Sequence, residues 1–527
     1  MVFLYIGASF TSWTAVLLWS LLTLCISIVG QIIYRLTLHP LAGFPGPKLT
    51  AATKWYEVYF ELVKRPQGQF SREIDRMHDR YGPIVRINPD ELHVRDSDWY
   101  DVFYAPSTVP RDKYPPAANM AGTGLGTFGT VRHELHRRRR AADAPLFSKR
   151  SIQQSESLIK EQLQRLTATF KKASVSDEPL NLGTSMLAFS TTTLGLFAFN
   201  FDFNFLDDAK AAENWRKTID SVTVVTIAAR QFPWLIPLAM MTPRALARPV
   251  LPDLCRLLDA HVRIGEQVSN YMLTRTEPKG KVVRKERPLT IFQAIDESSL
   301  PAHEKNAPRL TQEGITLLLA GGETVARSLI HIIFHLLDNP DVYAKVKAEI
   351  DDATPKDQLI PSTKTLESLP WLTASVRESL RLSAVVSSRL PEMARTKIHY
   401  GEWVIPANTP VSLHPSSVLH DPSVYPEPSK FKPERWFDAS DRANRCFVPF
   451  GKGARMCLGM DFAYTQIFMT IATFLRTFDL ELYETYRARD IDQERDCFVG
   501  MPSENSPGVR VKVHMRLGNL DPMLHDT

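Results

Sequence analysis

The stretch FGKGARMCLG at positions 450–459 holds the residue best suited to chemistry. Cys457 sits two positions after Arg455, with Gly451 and Gly453 before it and Gly459 after it. The thiolate is the nucleophilic and metal-binding form of cysteine, and nearby amides or cations favour it. Glycines free the backbone to aim amides at the sulfur and let a broad planar ligand come close. The bland reading of a lone cysteine is a small, inert core residue. Three further motifs bear on that choice. Glu378 and Arg381 are three apart, so they share one helical face and can pair. PERW at 433–436 brings Arg435 as a second partner for Glu378. AGGET at 320–324 puts two glycines inside a long apolar segment, at about 1 kcal/mol each relative to alanine. That cost predicts a local opening beside Glu323 and Thr324, with room for a small ligand and waters.

The elements that must position these groups are mostly helical. Apolar residues recur at helical spacing over 151–172 and 310–337, and 371–382 continues the pattern. Strand signals are short: 84–87 and 92–94 around a turn at Asn88-Pro89-Asp90, then 398–400 and 403–405. Eight prolines between positions 391 and 433 exclude a helix there. The reading is one large, mainly α domain with small β-sheets.

No charged side chain precedes Arg35, and 10–34 is apolar and longer than the roughly 20 residues a membrane-spanning helix needs. A cleaved signal has a basic start and a shorter apolar run. We therefore read 1–34 as a membrane anchor. Residues 35–50 form a proline-rich hinge and 51–527 the catalytic domain. Arg35, Lys48 and Lys54 follow the anchor, which predicts a cytosolic body. Apolar residues make up 44% and net charge is +5, which excludes disorder as the main state and gives no case for nucleic-acid binding. Five scattered cysteines without a C-x-x-C pair exclude a disulfide scaffold.

Some motifs fail on context. Gly124–Gly129 fits G-x-G-x-x-G, but no strand signal precedes it, so it reads as a glycine-rich loop. His133-Glu134-Leu135-His136 is one residue short of the zinc spacing. The basic cluster Lys279, Lys281, Arg284, Lys285 and Arg287 reads as a solvated loop. The apolar, proline-broken run 231–238, with Trp234, reads as buried packing or a membrane-dipping loop.

Together the motifs resemble the cytochrome P450 family, haem-thiolate monooxygenases, along essentially the whole chain. F-x-x-G-x-R-x-C-x-G is matched at every fixed position. The loop and hinge are most similar to microsomal enzymes of filamentous fungi, in particular the trichodiene-oxygenase-like group. The resemblance implies the cytochrome P450 fold, haem b (iron protoporphyrin IX), and an endoplasmic reticulum location, single-pass with a cytosolic catalytic domain. It implies Cys457 as the axial ligand of haem iron, as in the haem-thiolate proteins that illustrate the general rule. Arg455, Arg140 and His136 match haem-propionate partners, and Phe450, Gly451 and Gly459 match the cysteine loop. Glu323 and Thr324 match the acid–alcohol pair that relays protons to dioxygen. Glu378, Arg381 and Arg435 match a structural triad. Three positions depart from the family pattern: His136 for tryptophan, Glu392 for a basic residue that pairs with a propionate, and Asn408 for a turn glycine.

The implied reaction inserts one atom of O2 into an apolar small molecule, terpenoid first and polyketide-derived second. Electrons come from NADPH through NADPH–cytochrome P450 reductase. Arg137, Arg138, Arg139 and Lys452 are candidate contacts for its acidic face. Substrate contacts are expected near Ala320, at 385–388 and at 120–128. The alternatives are a reductase-independent haem-thiolate isomerase or dehydratase, and a non-catalytic haem-binding protein. Glu323-Thr324 argues against both, because proton delivery is needed for monooxygenation.

Overall fold

A 31-residue helix, Ala307–Leu337, forms the axis of the molecule. It starts where Asn306 accepts a hydrogen bond from the Arg309 amide and Pro308 occupies the first turn. Helices Leu182–Phe199, Pro252–Thr274, Pro370–Ser383 and Met460–Thr477 pack around it. The structure, a computed structural model, describes the backbone of residues 2–120, 122–275 and 289–516. The basic cluster 279–287 lies outside the described residues.

The core between these helices is aromatic and aliphatic. Phe197 stacks on Phe462 at 4.2 Å, and Phe170 lies 4.6 Å from Phe474. Each fully buried side chain of this size is worth about 1.5–3 kcal/mol, so the helices are held mainly by apolar burial. The helical run expected over 151–172 is broken at Ser155, between Lys149–Gln154 and Glu156–Ser176. Ser155 turns its hydroxyl back onto the Ser151 carbonyl, 2.9 Å away.

Beside the helices lies a five-stranded sheet in the order Ile84–Arg86, Leu92–Val94, Pro410–Ser412, Glu392–Ala394, Arg111–Lys113. Its last two strands are antiparallel, with Lys113 opposite Glu392 and Arg111 opposite Ala394. The strand period of two puts Arg111 and Lys113 on one face. Hairpins Ile398–Tyr400/Trp403–Ile405 and Arg495–Cys497/Val499–Met501 complete this side. Asn408 has φ +61°, the conformation its side chain tolerates where a glycine is usual.

Among the described residues, three helices are apolar and long enough to cross a membrane. Leu182–Phe199 and Ala307–Leu337 are largely buried within the body, so their apolarity serves the core. Over Trp13–Thr37 nothing is buried, which fits a membrane anchor. Its helix runs to Thr37, three residues into the expected hinge. Near the helix Trp55–Val58 the surface stays apolar. Trp55, Trp234, Leu238 and Met241 are exposed, and Phe232 joins them through ring contacts to Trp55 (6.3 Å) and Trp234 (6.1 Å). The 231–238 run is thus surface rather than core.

Candidate active site

Cys457 follows a short turn, Gly453–Arg455, and precedes the helix Met460–Thr477. Gly451 (φ +69°) and Gly453 (φ +73°) reverse the chain. At Gly453 a Cβ would lie 2.4 Å from the Ala105 carbonyl oxygen, so only glycine fits against that backbone. The Cys457 amide donates to the Phe450 carbonyl (2.9 Å), which closes the loop, and Phe450 packs on Tyr464. Cys457 is exposed, whereas Cys255, Cys446 and Cys497 are buried. Its sulfur is nevertheless crowded by protein, and that desolvation pushes the thiol up. The Gly459 amide and Arg140 pull the other way and are outweighed. The expected bias towards thiolate is therefore not met by the polypeptide alone. The arginine that acts on the sulfur is Arg140, not Arg455.

Arg455 reaches instead to the Thr130 and Val131 carbonyls, at 2.8 Å each. Its Nε is buried without a hydrogen-bond partner among the described residues. Nearby, His136 on the helix His133–Asp143 feels Arg455, Arg140 and Lys113. Burial first and those cations second hold it near pKa 2, so the ring is neutral. Lys113 is buried, donates to the Phe128 carbonyl (2.9 Å) and lies over the Phe128 ring. Burial, then Arg455, drives its pKa well below the usual lysine range. Arg111 completes the cationic group, in which Glu392 is the carboxylate. The sequence reading missed Lys113 and Arg111. Their i, i+2 spacing in a short strand was the available signal, since it places two cations on one face.

Of the other motifs, His133 and His136 have separate surroundings: His133 Nδ1 accepts from the Arg111 amide at 3.3 Å. Arg137 and Arg138 are exposed. Arg139 is buried in a two-bond pair with Glu304 (2.7 and 3.0 Å), which removes it from any docking surface. Lys452 is bound to Asp101 at 2.6 Å.

The central helix is continuous through AGGET, contrary to the expected opening. Thr324 Oγ1 donates to the Ala320 carbonyl (2.7 Å), as in an intact helix. The glycines instead admit the helix Leu182–Phe199. A Cβ at Gly321 would meet Leu194 at 2.9 Å, and one at Gly322 would meet Thr191 Oγ1 at 2.7 Å. Ser190 uses that closeness to donate to the Gly322 carbonyl (2.7 Å). Glu323 is buried and held by Arg216 (2.7 and 2.9 Å) from the helix Ala209–Gln231 and by Arg327 (2.5 Å). Burial raises its pKa, but the two guanidiniums outweigh it and keep the carboxyl below its usual value.

Of the expected substrate segments, 120–128 touches the central helix and approaches 385–388 by way of Phe498. The Leu125 amide donates to Gln312 (2.7 Å) on the central helix, and a Cβ at Gly126 would meet Thr316 Oγ1 at 2.7 Å. The amides of Ser387 and Ser388 donate to the Phe498 carbonyl (3.1 and 3.3 Å). Phe128 meets Phe498 edge-on at 6.1 Å. Phe498, absent from the sequence reading, has φ +76°, an outlier for an aromatic residue.

Glu378 is fully buried and receives Arg381 Nε and Nη2 (2.9 Å each), Arg435 Nε (2.9 Å), Trp436 Nε1 (3.0 Å) and the Lys432 amide (3.1 Å). The expected triad is present, enlarged by an indole and a backbone donor.

Comparison with known proteins agrees with this arrangement. A family model described as Cytochrome P450 matches residues 51–507. The tryptophan 6-hydroxylase of Fusarium equiseti is 39% identical, over 94% of this chain and 96% of the relative. The N-acetyltryptophan 6-hydroxylase of Emericella nidulans is 36% identical, over 96% and 98%. A crystal structure of a cytochrome P450 superposes with TM-score 0.69 at 18% identity, covering 87% of this chain and 96% of that one. Fold, motifs and relatives agree, and the chain belongs to the cytochrome P450 family, whose monooxygenases carry a haem–thiolate cofactor.

Proposed function

We propose that the domain 51–527, held at the endoplasmic reticulum by its N-terminal helix with the body in the cytosol, is a haem b monooxygenase of fungal secondary metabolism. The observation that carries this is the site beside Cys457. An accessible sulfur adjoins a buried cationic cluster in which Arg455 Nε lacks an acceptor. Two propionates would satisfy those cations, and bound iron would supply the thiolate stabilisation that the polypeptide lacks. In this reading Cys457 would hold the haem iron through its sulfur. Arg455, Arg140 and His136 hold the propionate side, and Phe450, Gly451 and Gly459 shape the loop.

When bound, haem supplies the iron at which dioxygen is activated with electrons from NADPH. The chain's own groups position substrate and move protons. Phe128, Phe498, Val385 and Val386 offer apolar surface to a substrate, while Ser387 and Ser388 turn their hydroxyls to Asp496. Thr324 Oγ1 holds a proton at the central helix. Glu323 can take part only when Arg216 lets its carboxylate go, because the paired form resists protonation. Arg137 and Arg138 are the exposed cations offered to the acidic reductase.

For substrate, the hydroxylations named for two relatives add an indole ring to the terpenoid and polyketide classes expected from sequence. The test is turnover of purified protein with reductase, NADPH and a panel of tryptophan, N-acetyltryptophan, a cyclic terpene and an aromatic polyketide. Oxygenated product that depends on NADPH supports the reading, and product without NADPH returns the isomerase alternative. Thr324→Ala should consume NADPH with little product. Unchanged product per NADPH would remove Thr324 from the proton path.

A further inference from the structure

Glu392 opens the strand Glu392–Ala394 and is almost fully buried, with Lys113 opposite it on one side and Val411 on the other. Its carboxylate makes no close ion pair. Arg455 Nε approaches to 3.9 Å, beyond hydrogen-bond reach. The charged and titratable groups around it are Arg111 and Lys113 on the facing strand, Arg455 on the cysteine loop, and Tyr100, Asp101 and Tyr104 at the helix Tyr100–Phe103. His136, beyond Lys113 and Arg455, is neutral. Burial holds both tyrosines protonated. This carboxylate therefore sits inside the cluster assigned above to haem propionates, where a second and third negative charge would crowd it.

We infer that Glu392 takes up one proton from solvent as haem binds, so that a propionate meets a carboxylic acid instead of another carboxylate. The inference rests on the haem-binding reading above. The geometry supports it without further groups: a protonated Glu392 can donate to a propionate, and Lys113 and Arg455 are then released to pair with it. Burial already lifts Glu392 to about 7, against the pull of Arg455, Arg111 and Lys113. Nearby anions lift it further, because like charges disfavour ionisation. The sign follows. Binding that takes up a proton is strongest below the free-protein pKa and weakens as pH rises through neutrality. Cys457 gives the opposite slope, since it must lose a proton, and that slope is common to all variants at position 392.

The test is haem loss from the loaded, full-length protein to excess apomyoglobin between pH 6.5 and 8.5. Beyond the slope set by Cys457, which wild type and variants share, the ratio of wild-type to Glu392→Gln haem-loss rates should rise with pH by a factor on the order of ten. Glu392→Arg should match the Glu392→Gln slope and lose haem more slowly throughout. If Glu392→Gln does not fold, the Glu392→Arg slope decides the matter. Equal slopes in wild type and variant, with a thiolate-type carbon-monoxide band in both, would overturn the role of Glu392 alone. Absence of that band in folded wild type at pH 6.5 would overturn the haem reading itself.

Discussion

Glu378 and Glu392 are both buried glutamates beside arginines, and they behave as opposites. Glu378 accepts five hydrogen bonds from two arginines, an indole and a backbone amide. Glu392 stands among Lys113, Arg111 and Arg455 without close pairing. A satisfied buried carboxylate ties two segments of chain together and specifies one arrangement. A buried charge cluster left incomplete costs stability, and it persists where a ligand completes it. The first is scaffold and the second, in the proposed haem-binding reading, belongs to a site.

That contrast can be broken experimentally. The largest effect is expected at the scaffold. Glu378→Ala strands Arg381 and Arg435 without their counter-charge, a loss of about 3–5 kcal/mol. Little folded protein should be recovered, as measured by yield and circular dichroism. A cooperative melt close to wild type would equate the two glutamates.

Next is Cys457→Ala, which should abolish the carbon-monoxide band and turnover while the apo-protein melts within about 0.5 kcal/mol of wild type, as an accessible side chain should. A large destabilisation would make the cysteine loop scaffold as well.

Glu392 gives a pH-dependent version of the test. Its folded pKa is about 7 against an ordinary value of 4.5, so the folded state holds more protons in that window. The contribution of Glu392 to apo-protein stability should fall as pH rises from 4.5 to 7, by about 3 kcal/mol in all. Glu392→Gln should therefore raise the melting temperature of apo-protein at pH 8 and leave it nearly unchanged at pH 5. A gain that is equal at both pH values would show packing, not charge, to be the cause.

The smallest effect belongs to the surface. Arg137→Glu with Arg138→Glu should weaken reductase coupling severalfold at low salt, less at high salt, without altering haem retention. Arg139→Glu is different in kind: it opposes Glu304 in the interior and should destabilise the fold.

These cases also mark how far residue patterns reach. Within 137–140 all four residues are arginine, yet one is interior and two are exposed. Helical periodicity assigns the face, but Glu304, the partner that makes burial tolerable, lies 165 residues away. The paired glycines Gly321 and Gly322 pointed to an opening for a small ligand, and it is a helix that takes the room. Sequence spacing records that room is needed and is silent on what takes it. Lys113 was overlooked because a lysine in a three-residue strand looks solvent-facing until the opposite strand is in place.

The local determinants were readable from the chain itself. They include the apolar N-terminal helix, the mainly helical body, the short strands, the glycine-flanked cysteine and the Glu378–Arg381–Arg435 set. Each depends on neighbours along the sequence or on motif spacing. Tertiary structure alone decided the electrostatics. It crowded protein around the Cys457 sulfur enough to favour the thiol, locked Glu323 between Arg216 and Arg327, and gathered Lys113, Arg455 and Glu392 in one place. The physical reason is that charge interactions depend on distance and desolvation, and both are set by segments far apart in the chain.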